Sequence, residues 1–161
     1  MLDNRITHYF SSPISADDVA MFGIPTGTAV GQQLWEYLAV LVAVDIWTHL
    51  WKQSRILLKV RGDNVGALTL LVKMRMPAPT IAIMARELAL RLVELSFPPD
   101  AEHTPGVAHV IADRLSRVHA PGGSGVVDSS IHPALANAQW ADTPRRNPDW
   151  YRAYREPASG K

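Results

Sequence analysis

The chain has 161 residues, 47% of them apolar, and a formal net charge of +1; this is enough for one folded domain and too balanced to indicate nucleic-acid binding from charge alone. No cysteine is present, which excludes disulfides, thiol catalysis and cysteine-ligated zinc and fits an intracellular protein. The opening MLDNRITHYF lacks a signal-peptide layout, and Glu36, Asp45 and Lys59 interrupt the apolar stretches before any reaches the roughly 20 residues of a membrane span.

Residues 5–12 (RITHYFSS) read as a short strand ending at Pro13. Residues 16–33 contain four Gly or Pro positions (Gly23, Pro25, Gly27, Gly31) and read as a connection with one short turn of helix. Residues 32–52 give the clearest helix. Leu34, Leu38, Leu41 and Val42 fall on one face and Val40, Ala43, Trp47 and Leu50 on the next. Such a helix is buried against a sheet on one side and helices on the other, so it is expected to pack on the following strand with Trp47 largely buried.

Residues 55–62 (RILLKVRG) read as that strand, with Asp63-Asn64 at its end. Helical spacing resumes over 64–75 and is broken by Pro77 and Pro79. Thr80 is suited to cap the next helix, 80–96. An extended piece at 100–104 precedes Pro105-Gly106 and a last helix at 107–117. From Val118 the composition shifts. HAPGGSG reads as a flexible linker, and isolated apolar residues from Leu135 to Tyr154 suggest a tail that packs in patches or not at all. The expected division is a domain over 1–118 and a linker with a loosely structured tail over 119–161. The alternation of strands and helices argues for an α/β domain.

Three acids occupy positions that a bland fold does not require. Glu36 lies on the apolar helix, Asp63 ends a strand and Asp113 lies on the last helix. Carboxyl ends of strands are where α/β sites are commonly built, and three converging carboxylates repel each other unless cations lie between them. Each acid alone also has an ordinary explanation, as a helix-terminus charge, a turn or cap residue, or a solvated helix acid.

Three segments carry a resemblance. WEYLAVLVAV (35–44), KVRGDNVGAL (59–68) and EHTPGVAHVIADRLSR (102–117) resemble, in that order, the second, third and last acid motifs of ribonuclease H domains in retroelement reverse-transcriptase polyproteins of the LTR or tyrosine-recombinase type. The last motif is the most specific. The resemblance spans about residues 6–118 and implies a ribonuclease H-like mixed sheet with flanking helices. It implies that Glu36, Asp63 and Asp113 ligate two Mg2+ or Mn2+ ions, that His103 assists proton transfer or product release, and that the substrate is RNA in an RNA–DNA hybrid, cut next to an upstream reverse transcriptase domain. Asn64 is expected to cap the following helix.

The chain departs from that family at its start. The family's first acid lies in an Asp-Ala-Ser strand, and Asp3, Asp17 and Asp18 do not match it. RITHYFSS resembles the third strand, so the first two strands are expected to be missing, cleavage is expected to be impaired, and the early strand is expected to be detached or moved beside 55–62. His109 stands where the family often carries Asn. Other readings are a non-catalytic remnant or interaction module associated with a reverse transcriptase, a transposase or integrase core, and a helical interaction protein. Arg61, Lys73, Arg75, Arg114 and Arg117 flank the acids as candidate phosphate contacts or as solvated surface.

Overall fold

The computed structural model describes residues 5–51, 58–73, 79–93, 100–120 and 122–151. The chain folds into two compact units, a larger one of residues 14–105 and 144–161 and a smaller one of residues 1–13 and 106–143. The compositional boundary after residue 118 thus falls inside the smaller unit.

The larger unit begins with helix α1 (Ala16–Phe22). Ser15 Oγ accepts from the Asp18 backbone N–H at 3.1 Å, and Asp18 Oδ2 accepts from the Ser15 N–H at 2.9 Å. This reciprocal capping satisfies two donors that the helix start leaves open. Gly23, at φ 62°, ends the helix with its N–H on the Val19 carbonyl. The expected single turn is therefore a helix of seven residues.

Helix α2 (Ala29–Trp51) buries Leu34, Tyr37, Leu38, Leu41, Val42 and Val44. Its main contacts are with α3 (Val65–Lys73) and α4 (Pro79–Val93). The expected packing on the strand is taken over by α3, which lies on both strands of this unit. Beside Gly66 of α3 lies the Gln33 amide of α2, 2.5 Å from where a Cβ would stand. Trp47 is only half-buried. Helix α4 starts at Pro79, so Thr80 lies within it and not before it.

Strands β2 (Lys59–Gly62) and β3 (Asp100–His103) pair in parallel, Lys59 opposite Asp100 and Gly62 opposite His103. Parallel neighbours require a crossover, which α3 and α4 provide. The exposed face of the pair carries Lys59 and Arg61 against Glu102, at 3.3 and 3.1 Å. Residues 55–57 of the expected strand lie outside the described residues.

The segment 144–151 completes this unit. Arg146 is buried and donates from Nε to both Asp18 oxygens, at 3.1 and 3.0 Å, and from Nη2 to Oδ2 at 2.9 Å. The buried Tyr151 hydroxyl donates to Asp18 Oδ1 at 3.1 Å, and its ring meets Phe22 edge-on at 5.5 Å. Arg91 pairs with Glu87 and Asp45, donates to the Trp150 carbonyl at 3.0 Å and stacks over the Trp150 ring at 4.4 Å.

In the smaller unit, β1 (His8–Tyr9) pairs in parallel with β4 (Gln139–Trp140), and Tyr9 meets Trp140 edge-on. The expected strand 5–12 shrinks to two residues, and it belongs to a different sheet from β2. A 3-10 turn (Gly106–Ala108) precedes α5 (Val110–Arg117), shortening the expected last helix at its start. The glycines of the HAPGGSG segment are held in turns. The Gly123 N–H donates to Ala120 O at 2.7 Å and the Gly125 N–H to Val118 O at 3.1 Å. Gly122 and Gly125 take positive φ, which glycine allows without strain. Asp128 then caps a 3-10 turn (Ser129–Ile131) that leads into α6 (His132–Leu135).

The protein is thus mixed α/β, with short parallel strands and a majority of helix. Among the described residues, no helix is long and apolar enough to cross a membrane.

Candidate functional site

Three of the four expected site residues belong to the larger unit. Asp63 directly follows β2, and His103 is the last residue of β3. The register places Gly62 opposite His103, and the Thr104 N–H continues the ladder to the Gly62 carbonyl at 2.8 Å. Asp63 and His103 therefore sit at the same carboxyl edge of the parallel pair. Both are exposed, and Asp63 makes no hydrogen bond or ion pair with another described residue. His103 ends a strand that falls within the extended piece expected at 100–104.

Glu36 reaches this edge through Asn64. Asn64 Nδ2 donates to Glu36 Oε1 at 3.3 Å, while Asn64 Oδ1 accepts from the Ala67 N–H at 3.1 Å. One side chain thus caps α3, as expected, and also ties α2 to the residue after Asp63. Polar groups at a helix start are naturally satisfied in this way. The second contact, to Glu36, has no local sequence signature.

Asp113 lies in the smaller unit, in the first turn of α5. Its two oxygens accept from Arg117 Nε at 2.9 and 3.0 Å, an i,i+4 pair. His109 takes the cap position of α5 without a side-chain cap bond. Among the described residues, no three His, Asp or Glu side chains gather in a group able to hold a metal ion.

Three of the candidate phosphate contacts each engage a carboxylate through one nitrogen. Arg61 donates to Glu102, and Glu102 is held below the usual carboxylate range by its hydrogen bonds from Arg61 and Lys59. Arg114 pairs with Asp128 and Arg117 with Asp113. Lys73 is exposed at the end of α3, and Arg75 lies outside the described residues.

Residues passed over by sequence reasoning form the most elaborate polar cluster: Asp18, Arg146 and Tyr151, with Asp45, Glu87, Arg91 and Trp150 beside them. Burial pushes the Tyr151 hydroxyl far above the usual phenol range, and the Asp18 charge adds to this. The local signal for Asp18 was present in the Ser15-x-x-Asp18 capping pattern. Nothing local signals Arg146.

In comparison with known proteins, no family model, no curated protein and no solved structure matches this chain.

Proposed function

We propose that this chain carries a ribonuclease H-like nuclease domain of retroelement type, acting on RNA in RNA–DNA hybrids. The observation that supports the reading is that Asp63 and His103 lie at one carboxyl edge of a parallel strand pair, with the Asn64–Glu36 hydrogen bond at the residue next to Asp63. The motif order in the sequence supports the same reading, as does the crossover through two helices between Asp63 and His103.

The donor set suits magnesium or manganese in kind, since both favour carboxylate oxygens. Glu36 and Asp63, both in the larger unit, would contribute carboxylates to the ions. Bound there, they would supply Lewis-acid stabilisation of a phosphodiester and an activated water. On the protein side, Asn64 fixes the Glu36 carboxylate, and His103, exposed at the strand end, is placed to exchange protons with solvent. A reverse transcriptase domain is the partner this reading implies.

The second reading is a non-catalytic module that associates with a reverse transcriptase. It is favoured by the Arg117 guanidinium, which occupies both oxygens of Asp113.

The test is calorimetric titration with Mg2+ and Mn2+ alongside a hybrid-cleavage assay. Cation binding by the chain, lost in Asp63→Asn and Glu36→Gln, is the expected result. Cleavage should be far below that of a four-acid enzyme, because the sequence carries no Asp-Ala-Ser counterpart. Identical cation behaviour in all three proteins would overturn the nuclease reading.

A further inference from the structure

The smaller unit contains a cleft of about 850 Å³ between α5 and the loop leading into α6. Asp113, Arg114, Arg117 and Val118 line one side, and the loop from Ser124 to His132 lines the other. The loop is shaped by its glycines. A Cβ on Gly123 would stand 2.6 Å from Arg117 O and 2.7 Å from Val118 O, so the chain turns tightly against the end of α5.

Arg114 and Arg117 are three residues apart and share one helix face. Each is oriented by a carboxylate that engages a single nitrogen. Arg117 uses Nε on Asp113, and Arg114 uses Nη1 on Asp128. The terminal nitrogens of Arg117, and Nε and Nη2 of Arg114, make no hydrogen bond to another described residue. Asp128 is itself fixed by the Ser130 side chain and backbone and by Arg114, and its carboxyl is lowered to about 2. The guanidinium groups are therefore held in place while most of their donors stay open. Fixed, planar donors of this kind suit the oxygens of a phosphate. The Ser129 hydroxyl lines the same cleft without a partner among the described residues, and Val118, Val126 and Val127 give it an apolar wall.

We propose that this cleft is a phosphate-binding site, in which Arg114 and Arg117 hold the phosphate of a nucleotide or of a nucleic-acid backbone and the valines face its base or sugar. The site goes beyond the cleavage reading and requires neither Glu36 nor Asp63. The competing explanation is that the two arginines only complement the carboxyl end of α5 and their own carboxylates.

The experiment is fluorescence anisotropy on the full chain in EDTA, so that cation-dependent cleavage plays no part. The probes are a labelled single-stranded oligonucleotide and an RNA–DNA hybrid, with AMP and pyrophosphate as competitors. Arg117→Gln should weaken binding roughly tenfold, as expected for losing charge-assisted hydrogen bonds, and Arg114→Gln/Arg117→Gln should weaken it further. Arg114→Lys/Arg117→Lys should recover part of the affinity, and circular dichroism should show all variants folded. Competition by AMP or pyrophosphate identifies a nucleotide site, and binding of the polymers alone identifies a backbone site. Equal affinity in the wild type and the folded double Gln variant, or no binding of any phosphate probe by the wild type, would overturn the proposal.

Discussion

Arg146 grips Asp18 through both carboxylate oxygens across 128 residues of chain, with each side chain at least 95% buried. The Asp18 carboxylate is further satisfied by the Ser15 N–H and the Tyr151 hydroxyl. Removing one partner of such a pair leaves a buried charge without compensation, which costs about 3–5 kcal/mol. Arg146→Ala is expected to lower unfolding stability by that order in urea denaturation. Asp18→Leu combined with Arg146→Met should cost less than Arg146→Ala alone. An Arg146→Ala protein with wild-type stability would show that the pair contributes nothing.

Burial pushes the hydroxyls of Tyr37 and Tyr151 well above the ordinary phenol range. In the unfolded chain they ionise near pH 10, so above that pH the folded state retains protons that the unfolded state has lost. Stability from these groups is complete below about pH 10 and is lost as pH rises toward their folded-state values. Denaturation midpoints should fall between pH 10 and 11.5, and Tyr37→Phe should flatten that fall. A midpoint independent of pH over this range would contradict the burial of both rings.

Asn64 joins two tasks that substitutions can separate. Asn64→Ala removes the cap on α3 and should cost about 1 kcal/mol. Asn64→Asp keeps a capping oxygen but sets a carboxylate against Glu36. It should lose less stability than Asn64→Ala in low salt with magnesium present than with EDTA, because a cation relieves the repulsion. Equal behaviour of the two variants in both buffers would remove the Glu36 contact from the argument.

Neighbouring glycines of the loop after α5 should respond for different reasons. Gly123→Ala drives a methyl group into three backbone carbonyls, those of Arg117, Val118 and Ala120, and overpacking of this kind costs about 1–3 kcal/mol. Gly122→Ala meets open space but holds φ +80°, at a cost of about 1–2 kcal/mol. Gly122→Asn should therefore recover stability relative to Gly122→Ala, since Asn tolerates that conformation, while Gly123→Asn should not. Thermal denaturation of the four variants decides this.

Local pattern made much of the fold legible. The apolar spacing of Leu34, Leu38, Leu41 and Val42 marks α2, and α3 and α4 are separate helices, with Pro79 opening the second. The β-rich run before Asp63 marked β2, and Asn64 was read correctly as a cap. Partner choice was less legible. An all-round apolar helix does not declare which neighbour each face meets, and α2 turned to α3 and α4 because α3 covers the strands. The HAPGGSG segment looked flexible because glycine composition does not distinguish freedom from a tight, fixed turn. The Asp18–Arg146 and Asp45–Arg91–Trp150 contacts were invisible, because buried ion pairs between distant segments have no period or spacing to read. For the candidate site, the edge holding Asp63 and His103 followed from strand order, but the Asn64–Glu36 bond did not.

The return of residues 144–151 to the larger unit sets a schedule for synthesis. Asp18 emerges early, and its guanidinium partner follows 128 residues later. Domains that fold while the chain grows usually complete one after another, and here the larger unit is interrupted by residues 106–143 of the smaller one before its segment 144–151 is made. Until then a buried carboxylate, the Arg91 guanidinium and the Phe22 ring lack their final cover. A nascent chain stalled before Arg146 should remain protease-sensitive and engage chaperones, and emergence of residues 144–151 should close the larger unit in a single step.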